Sequence, residues 1–342
     1  MMPIVLGGVL CAALILYALF GGADYGGGIW DLFAAGPRKA DQRALIEHAI
    51  GPIWEANHVW LVLVIVVLFT GFPPAFAAIA SGLFTPLVLL LIGIVLRGAA
   101  FTFRTYDTSG DLAQRRWGRL FSMSSVLAPL VLGDLVGSLA SGRVTEPASR
   151  AFLDAFPIAV GVYTAALFAF LSATYLAVEA SGALREDFRR RALVAGAVVG
   201  GLALAAFLLS KRGAPLVYEG LTRHAWSWPL QGAIAAVAVL AFAALATHRV
   251  HLARFAAAAQ VALIVLGWAG SQYPYFLVPE WTLQSASAPP AVQRMLLFAL
   301  GGGALLLFPS LYLLFRVFKG ERPLALIDRE QPRGTRPPSA RG

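Results

Sequence analysis

Charged residues are scarce in this sequence. They make up 13% of its 342 residues, whereas hydrophobic residues make up 58%. A soluble domain carries roughly 25% charged and 45–50% apolar residues, so the composition excludes an ordinary water-soluble enzyme and a disordered chain. Cysteine is nearly absent too, because Cys11 stands alone, and this excludes a disulfide scaffold. Long apolar runs are abundant, and they predict an all-α, polytopic membrane protein.

Nine stretches approach or exceed the length of about 20 mainly apolar residues that a span requires. The first lacks a basic leading segment and a small-residue cleavage site, so we expect it to be retained rather than removed as a signal peptide. We expect one transmembrane domain over residues 1–320 and a disordered, Pro- and Arg-rich tail over 321–342. The predicted transmembrane helices cover 3–22, 51–71, 77–103, 118–140, 153–180, 192–210, 226–246, 252–270 and 292–316.

The basic residues alternate strongly between the two sides of the membrane. The formal net charge is +9, yet no nucleic-acid motif accompanies it. Of the 27 Lys and Arg residues, twenty lie after the odd-numbered spans, six lie on the other side, and Arg97 lies within a span. Because cytoplasmic loops are rich in Lys and Arg, the sequence predicts an N-terminus outside and a C-terminus in the cytoplasm.

Five ionisable residues near or within spans are functional candidates, since a charge at the centre of a membrane helix costs about 2.5–3.5 kcal/mol. They are Asp24, Glu55, Arg97, Asp134 and Glu179. Asp24 follows span one within a glycine-rich block, where it would serve a proton or quinone site, or else be a solvated carboxylate at a tightly packed helix end. Arg97 lies well inside span three, so we expect a carboxylate partner, with Asp24 and Glu55 as candidates. The alternative is that Arg97 snorkels to the cytoplasmic face.

Glu55 lies in a helix start marked by Pro52, and His58 shares its face three residues later. A helix N-terminus favours the carboxylate anion, whereas apolar surroundings favour the protonated acid. A carboxyl group balanced between the two can exchange protons. The alternative is a capping acid beside interfacial tryptophans. Asp134 and Glu179 are expected to be polar residues satisfied at helix interfaces.

The histidines do not indicate a haem or metal site within a span. All five are predicted to lie in loops or at span ends, and no haem-attachment, zinc-protease or nucleotide-binding motif occurs. His248 and His251 could together bind a metal, although a short solvated turn explains them better. We therefore expect no metal held by this chain, and the sequence leaves its cofactor-binding residues unassigned.

Five blocks of the sequence form a recognisable series. They are Gly21–Gly28; Ile50–Leu61 with Trp54, Glu55 and Asn57; Leu96–Arg104 with its two arginines; the Arg116-Trp117 pair with Pro129 and Gly137–Leu139; and Ala173–Leu176 with Gly182. Together these blocks resemble subunit II of the cytochrome bd-type quinol oxidases. The matches run in order over roughly the first 190 residues, and the rest agrees in hydropathy and span count. The sequence departs from the family at Gly21, where an acid is usual, at His58, where Glu or Gln is usual, and at Glu179, where a base is common.

The resemblance implies a fold of two four-helix bundles plus one helix, over about 1–140, 153–270 and 292–316. It implies a heterodimeric bacterial inner-membrane enzyme that oxidises quinol and reduces O₂ to water. The haem-bearing subunit I would hold the b-type and d-type haems, and this chain none. This chain could carry a structural quinone and meet a small accessory subunit.

The resemblance also assigns roles to individual residues. Glu55 and Asp24 would form a cytoplasmic proton pathway. Arg97 would control both acids electrostatically, and electrostatic or structural roles would fall to Trp54, Asn57, His58 and Arg104.

Two other functions remain open from the sequence. Buried ionisable residues and glycine-interrupted spans are also found in secondary transporters, although here those residues cluster toward the cytoplasmic ends rather than at the midplane. A purely structural assembly subunit, without a proton role, is the third hypothesis.

Overall fold

A computed structural model describes residues 1–50, 57–106, 111–146 and 150–319. Within these ranges the chain is almost entirely helical, and a two-stranded antiparallel hairpin of β1 (Tyr275–Leu277) and β2 (Trp281–Thr282) is its only sheet. The helices are α1 (Met2–Leu32), α2 (Lys39–Ile50), α3 (Val59–Gly71), α4 (Pro73–Gly82), α5 (Phe84–Tyr106), α6 (Asp111–Ser141), α7 (Ala155–Glu179), α8 (Gly182–Gly213), α9 (Pro215–Arg223), α10 (Ser227–Ala246), α11 (Val250–Gln272) and α12 (Pro290–Lys319).

The fold is that of an all-α polytopic membrane protein, as the composition predicts. Among the described residues, eight helices are long and apolar enough to cross a membrane. A ninth span results if α3 and α4, which meet at an angle of 117°, are taken as one broken span. Large apolar side chains on the surface of these helices, such as Leu91, Val194 and Val239, are 60–67% exposed. Such surfaces are suited to lipid rather than water.

One expected helix boundary is present, and two others differ from the sequence expectation. The break expected near residues 71–74 is present at Phe72, because Pro73 disfavours the helical conformation in the residue before it. A second break at Leu83 divides the stretch predicted as span 77–103 between α4 and α5. Span one was predicted to end at residue 22, but α1 continues to Leu32. Asp24 therefore lies inside the helix rather than at its end.

Helix α1 occupies the centre of the packing and contacts α3, α6, α7 and α11. Its glycines allow the closest approaches. A Cβ atom at Gly26 would overlap the carbonyl oxygen of Phe168 and lie 2.6 Å from the Cβ of Ser172, both on α7. A Cβ atom at Gly28 would overlap the hydroxyl of Ser125 on α6. Because side chains at these two positions would push the helices apart, the glycines set the spacing between α1 and its neighbours.

Two apolar clusters surround the C-terminal half of α1. One joins α7, α8, α10 and α11 through residues such as Phe170, Val199 and Leu245. The other joins α2, α5, α6, α7 and α8 and includes Ile46, Phe121 and Phe188. The polar residues of α1 described below therefore lie within a packed helical core.

Over its described residues the chain forms two compact units, which divide between residues 296 and 297. The second unit is helical over its described part, and α12 contains Pro309. The predicted division into two four-helix bundles plus one helix stays a prediction. The predicted disordered tail, 321–342, lies outside the described residues.

Candidate functional site

Asp24 and Arg97 form an ion pair in the interior of the helical core. The Nη2 atom of Arg97 lies 2.7 Å from Oδ1 of Asp24, and the two side chains are 1% and 2% exposed. The same nitrogen also donates to the backbone carbonyl of Asp24 at 3.3 Å. Arg97 is thus held by α1 and does not snorkel to the surface.

The rest of the Arg97 guanidinium is also enclosed. Its Nε atom donates to the hydroxyl of Ser125 on α6 at 3.0 Å. The rings of Tyr25 and Phe121 each have their centroid 5.0 Å from its central carbon, a distance at which a cation is attracted to an aromatic face. These contacts fix the charge of Arg97 against Asp24 and disfavour any alternative position.

A second buried acid, Asp31, lies near the C-terminal end of α1 and is 1% exposed. Its Oδ1 atom accepts a hydrogen bond from Nη1 of Arg104 at 3.1 Å, and its Oδ2 atom accepts one from the hydroxyl of Ser122 at 2.7 Å. Arg43 approaches Oδ1 to 3.6 Å. Arg104 in turn lies 3.8 Å from Glu47, which is 43% exposed. This group therefore connects a buried carboxylate to the protein surface.

The two ion pairs repeat along the same helices. Asp24 and Asp31 are seven residues apart on α1, and Arg97 and Arg104 are seven residues apart on α5. Seven residues make nearly two helical turns, so each pair of like residues lies on one face and is separated by about 10 Å along the axis. The repeat requires α1 and α5 to run in the same direction, as spans one and three do.

Two tyrosines and His58 form an aromatic group next to Asp24. The hydroxyls of Tyr17 and Tyr25 are 3.0 Å apart and both side chains are buried. The ring centroid of His58 lies 6.3 Å from that of Tyr17 and 6.2 Å from that of Tyr25. Asn57 is buried beside Asp24 and interacts with its carboxylate, as does His58. Buried polar groups thus continue along α1 past the Asp24–Arg97 pair.

The structure brings together part of the residue set predicted from the sequence. Asp24 is the carboxylate partner of Arg97, and Asn57 and His58 lie next to Asp24. Arg104 belongs instead to the group around Asp31. Glu55 and Trp54 lie outside the described residues.

The other candidate acids lie apart from this group. Asp134 is partly buried on α6, and Glu179 approaches Arg254 to 4.0 Å. Neither Asp134 nor Glu179 is part of the candidate site.

Sequence reasoning missed Asp31, Ser122, Ser125 and the two tyrosines. The signal for Asp31 was available, because Asp31 follows Asp24 by seven residues just as Arg104 follows Arg97. Asp31 was passed over because span one was expected to end at residue 22. The serines carry no pattern that sets them apart from packing residues of a membrane helix.

The histidines offer little to a cofactor within the described ranges. His48, His224, His248 and His251 have exposed side chains, and His58 packs against the two tyrosines. Over the same ranges no group of three His, Cys, Asp or Glu residues could hold a metal ion. The arrangement can hold and pass protons, because it places carboxylates, hydroxyls and an imidazole close together in the buried region around α1.

The fold and this site define a class: polytopic helical membrane proteins that enclose fixed ion pairs and protonatable groups between their spans. A family model described as cytochrome bd terminal oxidase subunit II matches residues 2–318. The chain belongs to this family.

Known proteins agree with this assignment. Cytochrome bd ubiquinol oxidase subunit 2 of Bacillus subtilis is 34% identical over 139 residues, which cover 39% of each chain. Cytochrome bd-I ubiquinol oxidase subunit 2 of Escherichia coli K12 is 28% identical over 199 residues, which cover 54% of this chain and 51% of that protein. The matched segments therefore span about half or less of these relatives.

A solved structure extends the similarity to nearly the whole fold. The bd oxidase from Geobacillus thermodenitrificans superposes with a TM-score of 0.79 at 23% identity, over 94% of this chain and 99% of that chain. The fold of this chain is thus similar to that of a chain of that bd oxidase.

Proposed function

We propose that this chain is the subunit II of a membrane-bound quinol:O₂ oxidoreductase and that it provides a route for protons from the cytoplasm. Its partner would be a haem-bearing subunit I, and the complex would lie in the bacterial inner membrane. Family membership supports the complex, and the buried charged residues along α1 support the proton route.

The proposed route begins at the charged end of α1. Glu47 is partly exposed and lies next to Arg104, so it is a natural first acceptor of protons from water. Asp31 follows, held by Arg104 and Ser122, and Asp24 comes about 10 Å further along the helix. A step of this length requires an intermediate carrier such as water, and the hydroxyls of Ser122 and Ser125 lie along the same side of α1. Glu55, expected from the resemblance to share this work, keeps that role as a proposal.

The arginines would determine how readily the acids release protons. A guanidinium 2.7 Å from Asp24 stabilises the carboxylate, whereas the surrounding apolar core stabilises the neutral acid. The two effects oppose each other. The protonated and deprotonated forms of Asp24 are therefore closer in free energy than they would be under either effect alone. Such a balance favours repeated uptake and release of a proton.

The haems supply the electron transfer and O₂ chemistry when they are bound, and we propose that they belong to the partner subunit. This chain would deliver protons toward those haems and complete the membrane core. A structural quinone stays an expectation from the resemblance.

The proposed orientation places the C-terminal end of α1 in the cytoplasm. That end carries Arg38, Arg43 and Arg104, and the start of α8 adds Arg189, Arg190 and Arg191. Cytoplasmic segments are enriched in such residues. The entrance at Glu47 would then draw protons from the cytoplasm, so O₂ reduction would separate charge across the membrane without a pump.

The observation that carries the proposal is the buried Asp24–Arg97 pair. We would purify the complex through a tag on this chain, record its visible spectrum and measure quinol-dependent O₂ consumption. A spectrum with b-type and d-type haems, together with a large loss of turnover per haem in Asp24→Asn, is expected. Absence of haem from the wild-type complex would refute the oxidase assignment. Full turnover in Asp24→Asn would refute the proton role of Asp24.

A further inference from the structure

One ring nitrogen of His58, Nδ1, is buried in the helical core. This atom has no hydrogen-bond partner among the described residues, and the same is true of Oδ2 of Asp24. A buried polar atom without a partner destabilises the folded protein, so such an atom calls for a functional reason or for a water molecule that satisfies it. Two of them occur here within one group, on residues that interact electrostatically with each other.

Tyr17 occupies the next position on the same face of α1, and its hydroxyl lies 3.0 Å from that of Tyr25. Tyr17, Asp24 and Asp31 are separated by seven residues each, so protonatable groups recur about every 10 Å. Tyr17 is the member furthest from the charged end of the helix. Its ring lies against Gly21, where a Cβ atom would be 3.0 Å from Cε2 of Tyr17. The missing side chain at Gly21 therefore leaves room for the Tyr17 ring beside the helix.

We propose that His58 relays protons between Asp24 and the hydroxyl pair of Tyr17 and Tyr25, so that the route continues beyond the Asp24–Arg97 pair. This inference rests on the proposed proton role of Asp24. Imidazole is suited to the step because it takes up and releases a proton near neutral pH. The charged and titratable groups that face it are Asp24, Tyr17 and Tyr25 on α1 and Arg97 on α5.

The transfer involves protons only. In the tautomer that leaves Nδ1 of His58 unprotonated, the Asp24 carboxyl group gives its proton to that nitrogen, directly or through one water molecule. Asp24 then returns to a carboxylate that Arg97 stabilises. His58 then releases a proton from its other nitrogen toward the tyrosine hydroxyls. Each hydroxyl accepts one proton as it donates another, and the second hydroxyl gives its proton to a water molecule beyond the pair. Neither tyrosine is left charged and no electron moves.

A packing role for His58 predicts different behaviour. An aromatic filler could be replaced by a side chain of similar size without affecting proton transfer. A relay requires a group that can be protonated at position 58 and a hydroxyl at position 17. The two interpretations are therefore separated by variants that keep the volume and remove only the titrating group or the hydroxyl.

The test uses the purified complex containing His58→Gln, Tyr17→Phe or Asp24→Asn, with His224→Gln and Tyr163→Phe as controls away from the cluster. For each variant we would measure haem content, the pH profile of O₂ consumption per haem, and the solvent deuterium isotope effect. A general acid–base group contributes about 10²–10⁴-fold, so we expect His58→Gln to lower turnover at least tenfold. Its isotope effect should rise and its pH profile should shift. Tyr17→Phe should behave in the same direction, and both controls should match the wild type.

Three outcomes decide the matter. Normal turnover, isotope effect and pH profile in His58→Gln, with slow Asp24→Asn, would refute the relay and leave the proposed function intact. Normal turnover in Asp24→Asn as well would refute the proposed route. Loss of haem from both His58→Gln and Tyr17→Phe, with haem retained in Asp24→Asn, would assign the cluster a structural role and overturn the relay.

Discussion

The guanidinium of Arg97 lies 2.7 Å from the carboxylate of Asp24, in a part of the core where both side chains are almost completely shielded. The pair joins α5 to α1, and Ser125 on α6 joins it through the Arg97 Nε atom. Three helices that cross the membrane are therefore connected by one charged group. This gives the pair a structural consequence in addition to its proposed part in proton transfer.

We expect Arg97→Met to destabilise the subunit by about 3–5 kcal/mol, because it leaves the Asp24 carboxylate buried without its partner. The double variant Asp24→Asn with Arg97→Met should recover part of the loss, since no uncompensated charge remains. The thermal midpoint of the purified complex and its yield check this. Arg223→Met, which removes an exposed pair with Glu219, serves as the control. Equal loss in the single and double variants would contradict the expectation.

Asp31→Asn should slow O₂ reduction without removing haem, because the first buried acid next to the surface could no longer lose a proton. Ser122→Ala should have a smaller effect in the same direction, since it removes one hydrogen bond to Asp31 but leaves the carboxylate. Steady-state O₂ consumption per haem measures both. Asp41→Asn, at an exposed acid on α2, is the matched control. A wild-type rate in Asp31→Asn would remove Asp31 from the route.

Gly26→Ala should lower the yield of folded subunit, because the new Cβ atom would overlap the backbone of α7 at Phe168. Overpacking of this kind costs about 1–3 kcal/mol. Gly8→Ala lies in the same helix, and a Cβ there meets no atom of the described residues within 4 Å. It should be neutral or slightly stabilising, since alanine favours helix over glycine. Comparable thermal midpoints for the two variants would show that α1 and α7 can separate without cost.

The proposed orientation is tested by labelling single cysteines in a Cys11→Ser background. Ala40→Cys on α2 should react with a membrane-impermeant maleimide only after the cells are opened, because that end of α1 is expected in the cytoplasm. Gln284→Cys, in the loop after the β-hairpin, should react in intact cells. Both positions are exposed, so accessibility differs only by side. The reverse labelling pattern would invert the proposed topology.

The sequence was sufficient for the parts of this protein that depend on local periodicity and composition. Apolar runs of about 20 residues identify spans because the bilayer has a fixed thickness. Pro73 marked the break at Phe72, and the tryptophan–acid–asparagine block around Glu55 carried the resemblance. The end of α1 was misjudged, because the glycines after residue 20 signal a helix end in water but allow close helix packing in a membrane.

Only the tertiary structure decided which charges meet. The sequence offered two carboxylates for Arg97, and the positions of α1 and α5 in the fold placed Asp24 at 2.7 Å from it. The burial of Asp31 and the meeting of His58 with Tyr17 and Tyr25 follow from the same packing. Such contacts join residues as many as 91 positions apart, as between Ser122 and Asp31. Local patterns along one helix carry no information about the rotation and depth of its neighbours, which is why packing alone settles these pairings.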